Sequence, residues 1–149
     1  MGPSVPVMTS STPRSPSRLV SVRLITDDVA RLADFYARVT GVPVRWSTPD
    51  FAELETPVGT LAIGSTRTVA LFGPGSARAA DNRTAVVEFQ VDDVDAEYER
   101  LRQAPTEFVN EPTTMPWGNR SLLLRDPDGT LVNLFTPGDP AGRAAFAAG

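Results

Sequence analysis

The stretch SVRLITDD, Ser21 to Asp28, returns 65 positions later as VVEFQVDD, Val86 to Asp93. Apolar residues recur in step, as do the two aspartates and the valine after them. One matched position carries opposite charges, Arg23 in the first copy and Glu88 in the second. Val20, Val22 and Leu24 alternate with Ser21, Arg23 and Ile25, which predicts a strand with one face on a helix. Asp28 then stands where a carboxylate accepts from the orphan N–H groups opening a helix. Val29, Leu32, Tyr36 and Val39 follow at helical spacing, and Gly41 ends the run. In the second copy Asp93 is the cap, and Val94, Tyr98 and Leu101 form the stripe. The doubled acids are thus helix starts rather than a metal or acid–base motif.

Outward from these stretches, VPVRW, FAELET, TLAIG and TVALF predict three or four short strands, with Gly59 and Gly64 at turns. The second copy continues through an irregular Pro-rich passage to SLLLR, the turn DPDG and TLVNLF. VALFGPG at 69–75 answers VNLFTPG at 132–138, an offset of 63. The expected fold class is α+β: tandem βαβββ modules, 19–75 and 84–137, in a single domain spanning 18–137. Residues 1–17, rich in Pro, Ser and Thr, are expected to form a disordered arm, and 138–149 a tail. Met8 is as good a start as Met1. Pro6 breaks the myristoylation pattern, no secretory signal is evident, and no window approaches 18 apolar residues. The expected location is cytoplasmic.

Composition narrows the chemistry. The chain has 149 residues, a formal net charge of −4, no Cys and no His, and all 14 basic residues are Arg. Neither a disulfide framework nor a thiolate nucleophile is available. The commonest general base and transition-metal ligand is missing, and so is any lysine for a Schiff base. No basic cluster offers a nucleic-acid footprint. A metal site would have to be built from oxygen ligands.

VRLITDDVARLADFY in the first module, with VEFQVDDVDAEYERL and LLLRDPDGTLVNLF in the second, resembles the vicinal oxygen chelate superfamily. That superfamily includes glyoxalase I, extradiol dioxygenases, fosfomycin-resistance proteins and bleomycin-binding proteins. The resemblance implies curved sheets around a cavity, and a homodimer. In metal-using members one ligand comes from each of four strands. These positions fall on Ser21, Val86, Ala70 and Asn133, none of which keeps an adequate ligand. The expectation is a metal-independent member without a cofactor.

Strand alternation places Arg23, Ile25, Glu88 and Gln90 on the cavity face with Ser21 and Val86. Ala70 and Phe72 join them from the first module, and Leu131, Asn133, Phe135, Ser121 and Leu123 from the second. Trp117, between Pro116 and Gly118, can close over a ligand from its loop. Trp46 and Phe51 flank the turn STPD, and Tyr36 and Tyr98 belong to helix stripes in the core. Arg23 and Glu88 are read either as a polar pair meeting a ligand or as an ion pair tying the modules together. Three functions compete. The first is a small-molecule-binding protein of the bleomycin-resistance type, taking an aromatic or apolar compound. The second is a cofactor-independent cyclase, isomerase or lyase with Glu88 as catalytic base and Arg23 as electrostatic stabiliser. The weakest is a metal-dependent lyase or dioxygenase.

Overall fold

The computed structural model describes residues 13–138. Of the arm expected at 1–17, residues 1–12 lie outside the described residues, and of the tail at 138–149 only Gly138 is described.

The first unit runs β1 (Ser21–Thr26), α1 (Val29–Thr40), β2 (Arg45–Thr48), β3 (Phe51–Glu55), β4 (Thr60–Ser65) and α2 (Thr66–Phe72). The second runs β5 (Val86–Gln90), α3 (Val94–Leu101), β6 (Glu107–Phe108), β7 (Thr113–Thr114), β8 (Arg120–Arg125) and β9 (Leu131–Thr136). Two separate sheets result, ordered β1-β4-β3-β2 and β5-β9-β8-β6, with β7 also on β8. In each, the first strand lies parallel to the last long strand, β1 on β4 and β5 on β9. The fold is the expected α+β arrangement of two βαβββ units.

Local chemistry starts both helices as the sequence indicates. Asp28 Oδ1 accepts from the Arg31 N–H at 3.1 Å, and Asp93 Oδ1 from the Ala96 N–H at 3.1 Å. Gly41, at φ 75°, ends α1 in the left-handed conformation that glycine adopts without a steric penalty. The buried stripe of α1 includes Val29, Leu32, Tyr36 and Val39. It joins Leu24, Leu54 and Ile63 of the first sheet and Leu122, Leu124, Val132 and Leu134 of the second in one core. Tyr36 is wholly buried, its ring 6.1 Å from that of Phe89. Arg100 of α3 donates to the carbonyls of Arg38 and Val39, filling acceptors at the end of α1.

The segment TVALF departs from expectation. It is the body of α2, not a strand, so Ala70 and Phe72 do not point inward from a ladder. Ser65 caps this helix through its hydroxyl, accepting from Arg67 N–H at 3.2 Å, while Thr68 Oγ1 donates to Ser65 O at 2.7 Å. The ladder place beside β1 is already filled by β4, which pairs Ser21 with Thr60, Arg23 with Ala62 and Ile25 with Gly64. In the second sheet Val86 pairs with Leu131, Glu88 with Asn133 and Gln90 with Phe135. Ala62, not Ala70, is therefore the counterpart of Asn133, and the likeness of VALFGPG to VNLFTPG is not a structural repeat.

The DPDG turn is real and is more than a connector. Asp126 Oδ1 accepts from the N–H groups of Asp128 and Thr130, at 2.8 and 2.9 Å. Its Oδ2 accepts from the buried Tyr36 hydroxyl at 2.7 Å. The first unit's helix is thus bonded to the second unit's hairpin.

Candidate functional site

Each sheet presents one face to the helices and one away from them, here called the open face. On the second sheet, Val87, Phe89, Val132, Leu134, Leu122 and Leu124 turn to the helices. Val86, Glu88, Gln90, Leu131, Asn133, Phe135, Ser121 and Leu123 share the open face, as strand alternation requires. Leu123, Asn133 and Glu88 lie side by side across three strands, and Ser121, Phe135 and Gln90 form the next row. On the first sheet the open face carries Ser21, Arg23 and Ile25, then Thr60, Ala62 and Gly64, then Phe51, Glu53 and Glu55.

Two cavities border the edge strands. One of about 290 Å³ lies between β1 and β5 and brings Ser21, Val86 and Glu88 together. Its other walls are largely apolar and include Leu19, Val20, Val22, Val58 and Phe89. The second, of about 310 Å³, lies between β1, residues 77–85 and the DPDG turn, and contains Arg23 and Ile25. Trp117 is 72% exposed on its loop and Trp46 is 46% exposed. That loop closes through Met115 N–H to Asn119 O at 2.7 Å.

The ion pair between Arg23 and Glu88 does not form. Glu88 Oε2 accepts from Asn133 Nδ2 at 2.8 Å instead. The Arg23 guanidinium carbon stands 5.0 Å from the ring centroids of both Phe51 and Phe72. The two residues line different cavities, Glu88 the one between β1 and β5 and Arg23 the one beside residues 77–85. Phe51 and Gly64, which complete the setting of Arg23, were not expected there. Gly64, expected at a turn, lies inside β4 instead.

Elsewhere, charges are neutralised locally. Arg67 holds the Asp50 carboxyl below its ordinary range, mainly through a hydrogen bond of 2.7 Å. Arg120 bonds Asp95 at 2.8 and 2.9 Å, lowering that carboxyl in the same way. Burial is what raises the Asp126 carboxyl, against the hydrogen bonds it accepts.

The register allows a direct test of the metal site the resemblance suggests. The four equivalent strand positions hold Ser21, Ala62, Val86 and Asn133. Two are hydrocarbon side chains. Asn133 Oδ1 is buried with no partner, but one neutral amide oxygen is not a ligand set. No group of three or more Asp or Glu side chains is placed to hold an ion among the described residues. The residues do not fit a metal.

Residues 18–134 match the family model for the Glyoxalase/Bleomycin resistance protein/Dioxygenase superfamily. The chain belongs to that superfamily. Similarity to individual proteins extends over most of each chain. The uncharacterized protein YraH of Bacillus subtilis (strain 168) is 23% identical over 124 residues, covering 79% of this chain and 97% of that protein. A crystal structure of a glyoxalase/bleomycin resistance protein/dioxygenase from Nocardioides superposes with a TM-score of 0.69 at 26% identity, covering 87% and 88% of the two chains. TioX from Micromonospora sp. ML1 gives a TM-score of 0.62 at 27% identity, covering 80% of this chain and 98% of its own.

Proposed function

We propose that this superfamily member is a metal-independent binding protein for a small aromatic or apolar molecule. One observation carries the reading. The strand positions aligned with a metal site bear hydrocarbon or neutral side chains, while the cavity that two of them, Ser21 and Val86, line is walled largely by apolar groups. A pocket of about 290 Å³ with a few polar groups among apolar walls suits a compact ligand. Glu88, oriented by Asn133, and Ser21 are the polar groups that would set the pose. Ligand sequestration of the kind that confers antibiotic resistance, a homodimer and a cytoplasmic location belong to the same proposal. Among the described residues no helix is long and apolar enough to cross a membrane.

The cofactor-independent enzyme reading has less support, because Arg23 and Glu88 neither pair nor share a cavity. Binding is tested by titrating chelator-treated protein with aromatic compounds and following tryptophan emission or melting temperature. Val86→Asp, which puts a charge into the apolar wall, should abolish the response of any compound that binds there. An unchanged response in this variant would place the ligand elsewhere.

A further inference from the structure

Arg23 differs from every described arginine that follows it. The other ten, from Arg31 to Arg125, each donate to a carboxylate, carbonyl or hydroxyl oxygen. Arg23 has no such partner among the described residues; its recorded contacts are the two aromatic rings. Phe51 comes from the start of β3 and Phe72 from the end of α2, so the fold brings both to one guanidinium. Gly64 of β4 lies between Ile25 and Phe51 in the sheet, paired with each. A Cβ on Gly64 would stand 3.3 Å from Arg23 Cδ and 2.8 Å from Thr68 Oγ1. Glycine is therefore what lets the arginine stem and α2 settle together over this part of the sheet.

Aromatic faces attract a guanidinium through their quadrupole and use none of its N–H donors. Those donors lie in the guanidinium plane and suit two parallel bonds to a carboxylate. The nearby Asp50 is already committed to Arg67. Arg78, which lines the same cavity as Arg23, is committed to Asp81. Two parallel bonds from one guanidinium match the single charge of a carboxylate. Phe72 is 75% exposed and Leu71 84%, which leaves apolar surface beside the charge for the body of a ligand.

We propose that Arg23, set between Phe51 and Phe72, is the anchor for the carboxylate of an aromatic or apolar acid. This site is separate from the cavity of Ser21, Val86 and Glu88 and goes beyond the binding reading proposed for that cavity.

The probes are 2-naphthoate and its uncharged analogue 2-naphthamide, titrated calorimetrically into the full chain. Naphthoate should bind at least about tenfold more tightly than naphthamide, a difference of about 1.4 kcal/mol. Arg23→Gln should erase that preference, and Arg23→Lys should restore only part of it, because an ammonium lacks the planar fork. Phe72→Leu should weaken naphthoate while Arg23 remains. Circular dichroism and melting temperature establish that each variant is folded. Equal affinity for the two probes, or a preference that survives Arg23→Gln, overturns the anchor and leaves the small-molecule reading standing. Failure of both probes to bind at millimolar concentration also overturns it. The broader reading is judged separately, by the screen of neutral and charged aromatic compounds.

Discussion

The Tyr36 hydroxyl donates to Asp126 Oδ2 at 2.7 Å, joining residues 90 positions apart in the chain. It is the buried polar link between the helix of the first unit and the hairpin turn of the second. Tyr36→Phe keeps the ring and its packing but strips the carboxylate of one donor. Leaving a buried acceptor short of a partner costs about 1–3 kcal/mol, measurable by urea denaturation. A variant as stable as the parent would show that this bond does not hold the units together.

The same carboxylate sets a pH dependence. Burial raises Asp126 above its ordinary value of 3.8 in the folded state, so the folded chain holds this proton more tightly than the unfolded one. Its contribution to stability is therefore full below the unfolded value and is lost as pH rises through the folded one. Asp50 and Asp95 are lowered and act in the opposite sense, their contribution being lost as pH falls. Subtracting the stability curve of Asp126→Asn from that of the parent cancels these two. The difference should fall as pH rises from about 4 and then level off; a difference that grows with pH contradicts the assignment.

The two aspartate pairs offer an internal control. Asp28 and Asp93 accept from helix N–H groups, whereas the equally exposed Asp27 and Asp92 cap nothing among the described residues. Asp28→Ala and Asp93→Ala should each cost about 0.5–2 kcal/mol in thermal or urea unfolding. Asp27→Ala and Asp92→Ala should stay within about 0.5 kcal/mol. Equal effects within a pair would remove the capping explanation of the repeated DD.

Gly64→Ala probes the seat of α2. The added methyl meets Thr68 Oγ1 at 2.8 Å, and Thr68 is held in place by its bond to Ser65 O. Overpacking of this kind costs about 1–3 kcal/mol. Denaturation should show the loss, and calorimetry should show weakened naphthoate binding as Arg23 is displaced. Unchanged values for both would mean that α2 yields without consequence.

What the sequence made legible was chiefly local. Alternation in Ser21–Thr26 and Val86–Gln90 identified the faces, since a two-residue period needs no tertiary knowledge. Asp28, Asp93 and Gly41 marked helix ends through interactions within one turn. The fourth strand of the first unit was misplaced because TVALF looks β-forming and imitates VNLF. Capping by Ser65 and prior occupation of the ladder by Thr60–Ser65 decided otherwise. The setting of Arg23 was illegible for a different reason. Its neighbours Phe51 and Phe72 reach it from separate elements, and the distance between β1 and β5 is governed by how the helices pack between the units.

The central claim is that a compact aromatic or apolar ligand binds here without a metal. A thermal-shift screen of aromatic compounds, run on chelator-treated protein and repeated with Mn, Ni, Zn or Fe added, tests it most directly. At 100 times its Kd a ligand stabilises the fold by about 2.7 kcal/mol, well within detection. Compounds that bind should raise the melting temperature equally with and without metal, and protein from rich medium should carry no stoichiometric metal. Stabilisation that requires an added metal, or a stoichiometric ion in the purified protein, would contradict it.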